Sequence, residues 1–289
     1  MYHYSPSQVR KIRACERVWY FDKVLGVERP ETEAMRAGRA IHAELEAWVR
    51  SGIVPSIPAA REASRTVPRD PALVPELAVA EILSERVALI GAIDLLDLRD
   101  PTHPIVTDYK TLGDWRYMLA PYALALDVQM CSYAYAVLEQ LPSADACTIR
   151  HLYIKRTGVR AVPPRLVQTV ISRAHVARQR IAALKTMRRG DALRVLPALE
   201  NVPATGDPDE CVRYAGCWYW ERCKPVKHSI LPPDSARRPE GAEYATIDTV
   251  SPEVRATLLK TQKDRAEYEA TAAEFRATIA RLTSAHVQK

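Results

Sequence analysis

The sequence contains no hydrophobic run long enough to cross a membrane, since a transmembrane helix needs about eighteen apolar residues in succession and no such run occurs. The opening letters MYHYSPSQVRKIRAC also lack the apolar segment of a secretory signal. We therefore expect a cytoplasmic protein, whose six cysteines stay reduced unless they bind a metal. No internal repeat is visible, and the 289 residues are 47% hydrophobic, which is enough to build a core.

Acidic residues are absent from one long segment of the chain. Between Ala146 and Gly190 there are eleven lysines and arginines but no aspartate or glutamate. Because the whole chain carries a formal net charge of +6, the remainder must be net negative. A basic block in an otherwise acidic chain is typical of a surface that faces a polyanion. A solvated helix face has the same composition, and charge alone does not separate the two interpretations.

Two helices are predicted before residue 51. The letters SPSQ indicate a helix start, with Ser5 as N-cap, Pro6 in the first position and Gln8 reaching back in a capping box. Apolar residues at helical spacing then place Cys15 on the buried side of this helix, together with Val9, Ile12 and Trp19. A second helix is expected at residues 33–50, with one face formed by Gly38, His42, Leu45 and Val49.

The middle of the chain alternates between strand-like and helical patterns. Residues 51–75 are rich in proline and are predicted to form a loop. Strands are expected at 77–83, 86–98, 105–110 and 149–154, with a turn at 100–104 that joins the second and third as a hairpin. Helices are expected at 122–140 and 165–189, the latter with Arg173, Arg180 and Arg188 on its polar face. Helices that enclose a short central sheet predict an α/β or α+β fold.

The C-terminal segment 251–286 carries a heptad seam, formed by Tyr268, Ala272, Phe275, Ile279 and Leu282. Such a seam packs either on the core of its own chain or on a partner, so a homo-oligomer or a protein partner is compatible with it. We predict a core that includes a cysteine cluster over residues 1–228, a linker over 229–250 and a C-terminal amphipathic helix over 251–289.

A group of carboxylates with a lysine is the main chemical feature. Asp94 ends the apolar run VALIGAI, and Asp108 and Lys110 end the next strand. Residues two apart in a strand point to the same face, so these two project together, and a hairpin partner brings Asp94 beside them. Carboxylates hold divalent cations that assist phosphodiester hydrolysis, and a lysine beside the metal orients or deprotonates water. About one acid-x-lysine match is expected by chance, so DYK alone also fits a surface ion pair.

Four motifs in sequence order resemble those of the RecB-like branch of the PD-(D/E)XK nucleases. They are Gly38-Arg-Ala-Ile-His42, Gly91-Ala-Ile-Asp94, Asp108-Tyr-Lys-Thr111 and Gln129-Met-Cys-Ser-Tyr133. The resemblance implies a restriction-endonuclease-like core, in which helices flank a short mixed sheet. It also implies a Mg²⁺- or Mn²⁺-dependent deoxyribonuclease whose partner is DNA.

The same resemblance implies roles for individual residues. By it, the metal ligands are His42, Asp94, Asp108 and the backbone carbonyl of Tyr109. The catalytic set is Lys110, Asp94, Asp108, Gln129 and Tyr133. Within this set Lys110 is the catalytic lysine, and the last two residues contact DNA or steady the active site. Glu76 stands at a strand start where such nucleases sometimes have a further acid.

Four of the six cysteines form a second candidate site. Five residues separate each neighbouring pair of Cys211, Cys217 and Cys223, and Cys15 lies far upstream. Four thiolates hold Zn²⁺ or a 4Fe-4S cluster, but the paired knuckles of a zinc ribbon are missing from the sequence. One N-terminal cysteine with three C-terminal ones resembles the iron–sulfur subgroup of the same branch, to which CRISPR-associated exonucleases, the AddB nuclease domain and phage relatives belong.

The opening of the chain supports this second resemblance through YSPS at 4–7 and the pattern C-x-R-x-W-Y at 15–20. The five–five spacing of the C-terminal cysteines departs from the two–five spacing of many members, which bears on the cluster type. A cluster that joins residue 15 to residues 211–223 is expected to be a structural staple around the nuclease core. Cys131 and Cys147 are predicted to be core thiols instead.

The expected activity is that of a DNA exonuclease acting on ends or single strands in recombination, repair or phage DNA metabolism. The basic stretch 150–189 would guide the strand through phosphate contacts. A structure-specific endonuclease with the same site is one alternative. A non-catalytic iron–sulfur DNA-binding module is another, but it does not explain why the carboxylates and the lysine occur together. An electron carrier would account for the cysteines alone.

Overall fold

The computed structural model describes residues 2–27, 30–83, 87–156, 161–196, 198–205, 211, 217–219, 223 and 265–287. The chain divides into two compact units. The first consists of Pro30–Ala182 and Asp264–Lys289, and the second of Tyr2–Arg29 and Ala183–Lys263. The candidate carboxylate site lies in the first unit and the candidate cysteine site in the second.

The helices and strands of the described residues have the following bounds. The strands are β1 Tyr2–Tyr4, β2 Leu73–Ile82, β3 Val87–Asp97, β4 Ile105–Leu112, β5 Ala146–Lys155 and β6 Arg165–Ser172. The helices are α1 Pro6–Ala14, α2 Glu16–Lys23, α3 Glu33–Ser51, α4 Pro58–Ser64, α5 Pro121–Leu124, α6 Val128–Gln140, α7 Arg173–Arg194 and α8 Arg265–Val287. Two short 3₁₀ turns lie at Trp115–Tyr117 and Leu199–Asn201.

The first unit is built on a mixed sheet with the strand order β2-β3-β4-β5-β6. Strand β3 pairs antiparallel with both β2 and β4, β4 pairs parallel with β5, and β5 pairs antiparallel with β6. Helix α6 lies in the crossover between the two parallel strands, as a parallel connection requires. The predicted α/β class with a central mixed sheet and flanking helices is therefore confirmed.

Helices cover both faces of this sheet, which explains its hydrophobic strands. On one face, β3 and β4 contribute Ile93, Leu96 and Val106 to a core shared with α6 and α8. On the other face, Leu95 and Tyr109 pack with α3 and α4. Because successive residues of a strand point to opposite faces, residues two positions apart in β4 share one side of the sheet.

The helix predicted at 165–189 is wrong in its first third. Residues 165–172 form strand β6, and α7 begins only at Arg173. The letters RLVQTVIS contain several β-branched residues, which favour a strand, and β6 pairs with β5 along its length. Two arginines predicted on a polar helix face also make contacts within the first unit. Arg173 donates to the carbonyls of Leu141 and Ala144, and Arg180 pairs with Glu81.

The predicted loop at 51–75 is wrong in two respects. It contains helix α4, and β2 begins at Leu73 rather than at Leu77. The helix predicted at 122–140 is likewise divided into α5 and α6, because Asp127 caps a new start by accepting hydrogen bonds from the N–H groups of Gln129 and Met130. Proline at the first position of α4 and of α5 shows that these prolines begin helices.

The first predicted helix is interrupted at Cys15. Its backbone is extended there, with φ −161° and ψ 112°, so α1 ends before this residue and α2 begins after it. Ser5 is the N-cap, as predicted, and accepts a hydrogen bond from the N–H of Gln8 (3.3 Å). The Gln8 side chain does not close a capping box, because its oxygen accepts a hydrogen bond from the Trp19 indole (3.3 Å) instead.

The C-terminal seam packs on the core of the first unit. Tyr268, Ala272, Phe275 and Ile279 are buried, and α8 contacts β2 and α6. Residues 229–250, predicted to be a linker, and the start of the predicted helix at 251–264 lie outside the described residues. None of the described helices has the length and apolarity that a membrane span requires.

Replacing Phe275 with alanine tests this packing. Phe275 is 4% exposed within the main core, so its loss should lower the free energy of unfolding by about 3–5 kcal/mol. Thermal or urea denaturation measures the change. Glu274→Ala, at the exposed neighbouring position, is the matched control and should change stability by less than about 0.5 kcal/mol. Equal stability of the two variants would show that the seam does not pack on this core.

Candidate active site

The β3–β4 hairpin brings Asp94 next to Asp108. The backbone ladder between these strands ends at the pair Leu95–Thr107. Beyond it the Asp94 carboxylate accepts a hydrogen bond from the backbone N–H of Tyr109 (2.6 Å), so a side chain continues the contact between the strands. This fixes Asp94 to the backbone of the neighbouring Asp-x-Lys motif.

A cluster of possible metal ligands lies beside this contact. Among the described residues, His42, Glu76 and Asp94 are the one group of at least three whose ligand atoms all lie within 4.8 Å of one another. The Nδ1 atom of His42 is 3.5 Å from an Asp94 oxygen, and its ring meets the Tyr109 ring edge-on at 5.6 Å. Carboxylate oxygens with one imidazole nitrogen are ligands that suit Mg²⁺ or Mn²⁺.

Glu76 owes its place in this cluster to an unusual backbone conformation. The neighbouring pairs Pro75–Leu95 and Leu77–Ile93 put Glu76 in register with Asp94 across two antiparallel strands. Its φ is +47°, a left-handed value that non-glycine residues rarely adopt inside a strand. Strain of this kind is typical of functional sites, where surrounding contacts hold it in place.

Two members of this cluster, Glu76 and His42, have raised pKa values. Burial raises the pKa of the Glu76 carboxyl to about 6, and the charges of Asp94 and Glu46 act in the same direction. Burial lowers the pKa of His42, but the hydrogen bond and charge of Asp94 outweigh it and leave that pKa raised. Near pH 6 the Glu76 carboxyl therefore exchanges its proton, and a cation that binds there would compete with that proton.

Asp108 and Lys110 on β4 form a second network with Gln129 on α6. The Lys110 ammonium lies 2.6 Å from an Asp108 oxygen and donates a hydrogen bond to the Gln129 side-chain oxygen (2.9 Å). The Gln129 amide nitrogen donates to the other Asp108 oxygen (2.7 Å). Asp108 is only 2% exposed. Burial raises the pKa of its carboxyl, and the positive charge of Lys110 opposes that shift.

Two glycines allow helices to approach strands β3 and β4 closely. A Cβ atom at Gly91 would lie 2.5 Å from the hydroxyl of Tyr133 on α6, and one at Gly38 would lie 2.9 Å from the hydroxyl of Thr111 on β4. Side chains at these positions would force the helices outward. The glycines of the two glycine-containing motifs are therefore explained by packing, since they bring α3 and α6 onto the strands that carry the carboxylates.

The predicted site residues fall into two neighbouring groups. His42 and Asp94 join Glu76 in the ligand cluster, whereas Asp108, Lys110 and Gln129 form the lysine network. Tyr133 is joined to that network through Gln129, since its hydroxyl accepts a long hydrogen bond from the Gln129 amide (3.5 Å). Tyr109 takes part through its backbone N–H. Asp108 thus lies beside the ligand cluster but faces the lysine.

His151 and Tyr153 on β5 were missed from the sequence. His151 is 1% exposed and in register with Asp108, with its Nε2 atom 3.9 Å from an Asp108 oxygen. Its Nδ1 atom lies 2.9 Å from the Tyr153 hydroxyl, and Tyr153 is in register with Lys110. The alternation of polar residues in RHLYIK was the available signal, but it did not show which strand would neighbour β4.

The four candidate cysteines come together within the second unit. Burial raises the pKa of the Cys217 thiol to about 11, and the nearby charges of Cys223, Cys15 and Cys211 raise it further. The N–H of Cys217 donates to the carbonyl of Cys211 (2.7 Å). Cys15 lies at the junction between α1 and α2, where its backbone is extended and not helical.

An arginine and a tyrosine hold the cysteine segment in place. Arg17 lies 3.7 Å from the Cys223 sulfur and donates to the carbonyls of Cys223 (3.1 Å) and Val202 (2.7 Å). Tyr219 is buried, its ring stacks on Phe21 at 4.4 Å, and its hydroxyl bonds Asp22. A positive charge beside the Cys223 thiol suits a site that gathers thiolates. Cys131 and Cys147 are buried in the first unit, so the prediction that they are core thiols is confirmed.

Comparison with solved structures gave several similar chains of low sequence identity. An exonuclease-named protein of Eubacterium rectale has 11% identity and a TM-score of 0.47, with 80% of this chain and 90% of that chain covered. SSO0001 has 14% identity and a TM-score of 0.38, covering 64% and 76%. A phage-related exonuclease from Haemophilus somnus 129PT has 14% identity and a TM-score of 0.26, covering 60% and 93%. These scores are too low to carry a functional argument.

Comparison with sequence families is decisive. No curated protein matches the chain. The sequence model of the PD-(D/E)XK nuclease superfamily, however, matches residues 3–81 and 69–224, which together contain both candidate sites and most of the chain. The carboxylates, the lysine and the mixed sheet described above lie within the matched region. The chain belongs to the PD-(D/E)XK nuclease superfamily.

Proposed function

We propose that this nuclease is a Mn²⁺- or Mg²⁺-dependent DNA exonuclease of the RecB-like branch, and that it acts on DNA ends or single strands. The observation that carries the proposal is the network of the buried Asp108 with the half-buried Lys110 and Gln129, directly beside the cluster of His42, Glu76 and Asp94. Burial of a charged group such as Asp108 costs free energy, and groups perturbed in this way are concentrated at functional sites. Recombination, repair and phage DNA metabolism are compatible contexts.

The proposed metal ligands are His42, Asp94 and Asp108, with the Tyr109 carbonyl, and the geometry adds Glu76 to this set. A bound divalent cation would supply Lewis acidity and lower the pKa of water. An imidazole ligand favours Mn²⁺ over Mg²⁺, because Mg²⁺ prefers oxygen ligands alone. Glu76, whose carboxyl has a pKa of about 6, and His42, whose pKa is raised, would have to lose their protons for the cation to bind.

Lys110 is proposed to be the catalytic lysine. Asp108 and Gln129 hold its ammonium from two sides, so it presents a fixed positive charge to the phosphodiester. From this position it orients the attacking water and stabilises the negative charge that develops on the phosphate. Gln129 acts as a positioning residue, since its amide contacts both the carboxylate and the ammonium. Tyr133 supports Gln129 from the next turn of α6.

We propose that basic residues of the stretch 150–189 contact DNA phosphates. The structure reduces the number of arginines that are available for these contacts. Arg173 and Arg180 are engaged in contacts within the first unit. Two other arginines, the exposed Arg165 and the half-buried Arg156, lie closer than these to the end of β4 that carries Lys110. A structure-specific endonuclease with the same site is the alternative activity. Circular single-stranded DNA distinguishes the two, because an exonuclease leaves it intact.

We further propose that Cys15, Cys211, Cys217 and Cys223 hold a structural 4Fe-4S cluster, with Zn²⁺ as the alternative. Four thiolates suit either group. The paired knuckles of a zinc ribbon are missing from the sequence, and one N-terminal cysteine with three C-terminal ones supports the iron–sulfur cluster.

Lys110→Ala and Asp108→Asn should each lower kcat by about 10²-fold or more, because each breaks the network that positions the ammonium. DNA binding should persist, since phosphate contacts elsewhere supply affinity. A labelled-strand degradation assay and a binding assay measure the two effects. Asp100→Asn, an exposed turn carboxylate, is the control and should cut like the wild type. Full activity of either network variant would contradict the proposed mechanism.

Mn²⁺ should stabilise the protein against heat, by about 2.7 kcal/mol at a concentration 100 times its Kd. Asp94→Asn should abolish the effect, and Glu76→Gln should weaken it. The affinity should rise as the pH increases through about 6, where the Glu76 carboxyl loses its proton. Differential scanning fluorimetry at several pH values measures both. Unchanged binding by Glu76→Gln together with loss in Asp108→Asn would exclude Glu76 from the ligand set.

Protein purified without oxygen should be brown and contain iron and acid-labile sulfide in equal amounts, with little zinc. Cys217→Ser should lose the colour, while Cys131→Ala, at a core thiol, should keep it. The cluster-free protein should melt at a lower temperature, because a staple between distant segments is lost. A colourless protein that contains zinc would show that the four cysteines bind Zn²⁺ instead of an iron–sulfur cluster. Equal melting temperatures and activities with and without the cluster would contradict a structural role.

A further inference from the structure

An exposed aromatic segment, Asp114–Tyr122, follows directly after the catalytic strand β4. It begins four residues after Lys110 and contains Trp115, Tyr117 and Tyr122. Tyr122 is 77% exposed and Tyr117 is 41% exposed. Aromatic residues make up only 7% of the chain, so three within eight residues are a local concentration. Large exposed rings cost solvation free energy and usually mark a binding surface.

The aromatic segment is held in place beside the catalytic lysine. The backbone N–H of Leu119 donates to the hydroxyl of Tyr153 (2.9 Å), and Tyr153 is in register with Lys110 on the neighbouring strand. The residue that anchors the segment is therefore next to the lysine on the adjacent strand. At its start, Asp114 caps the 3₁₀ turn by accepting from the N–H of Arg116 (2.9 Å). The rings are thus presented by a fixed backbone.

Arginines lie on two of the rings. The guanidinium of Arg165 is 4.6 Å from the centre of the Trp115 ring, and that of Arg116 is 5.1 Å from the centre of the Tyr117 ring. Arg116 also pairs with Asp114 at 3.4 Å, whereas Arg165 belongs to the segment that has no acidic residue. Flat rings with cationic neighbours match a ligand that has both aromatic faces and negative charges. Nucleic acid has this combination.

We propose, on the basis of the proposed nuclease function, that the aromatic segment is a platform on which unpaired bases of single-stranded DNA stack on their way to the carboxylates. In a duplex the base faces are covered by neighbouring base pairs, so only unpaired bases offer a free face to Tyr117 and Tyr122. Stacking of this kind is tolerant of sequence. The preferred substrate is therefore a single-stranded end or tail.

The exposed apolar side chains near the aromatic segment do not indicate a protein partner instead of DNA. Leu166 and Val170 on β6 are half or more exposed, and α5 contacts β6. A protein partner would require an apolar surface with few charges at its centre, whereas here arginines lie on the rings. The charge therefore favours the polyanion, and the two exposed aliphatic residues provide the control for the test.

Binding to the Lys110→Ala protein, which holds DNA without cutting it, tests the platform. Tyr117→Ala and Tyr122→Ala should each weaken binding of a labelled oligothymidine strand by about 10-fold, since a stacked base contributes about 1–3 kcal/mol. The corresponding phenylalanine variants should bind like the parent. Duplex of equal length should bind equally to all of them. An abasic strand, with phosphates but no bases, should bind the parent as weakly as oligothymidine binds the alanine variants.

Val170→Ala is the control for the loss of exposed apolar surface and should leave strand binding unchanged. The platform is overturned if the alanine variants bind oligothymidine like the parent, or if they lose duplex and abasic binding to the same extent. In those cases the wild-type protein, with Lys110 in place, should still degrade DNA, and only the stacking inference fails. If that protein neither binds nor cuts any DNA, the proposed function fails together with the platform.

Discussion

The burial of the Asp108 carboxylate is the constraint on which the first unit depends. A carboxylate without solvent has to be paired and hydrogen-bonded, and removing a partner leaves an uncompensated buried charge. Here Lys110 supplies the charge, Gln129 supplies an amide donor and His151 lies against the remaining side. These partners come from β4, α6 and β5. Three elements must therefore meet at one point before the charge is stabilised.

The close approach of helices to the sheet follows from that requirement. Gln129 reaches Asp108 only because α6 lies near β3, which the missing side chain of Gly91 permits at Tyr133. On the opposite face, Gly38 lets α3 lie against Thr111 and so brings His42 to Asp94. Two glycines thus determine the distances between the lysine network and the ligand cluster. Each stands in a motif with a polar residue that the same helix or strand delivers to the site.

Much of the site could be predicted from sequence because its residues follow strand and helix periodicity. Asp108 and Lys110 had to share a face, and Gln129 and Tyr133 had to share a helix side. The sequence pattern alone does not assign Glu76 to the cluster, because its position there depends on a left-handed backbone that no residue pattern indicates. The sequence of β6 predicts a helix because its apolar residues suit both the helical and the strand period, and only the pairing with β5 decides between them.

The second unit is assembled from two distant segments of the chain, Tyr2–Arg29 and Ala183–Lys263. About 150 residues separate them, and at synthesis rates of about 5–20 residues per second the first segment waits roughly 8–30 seconds for the second. During that time Cys15 has none of its three partner thiols. The first unit lacks its last helix for longer still, since α8 is made after every cysteine. Assembly of the proposed cluster would therefore have to wait for translation to reach residue 223, and slow codons before that point would prolong the exposure of Cys15 to oxidants.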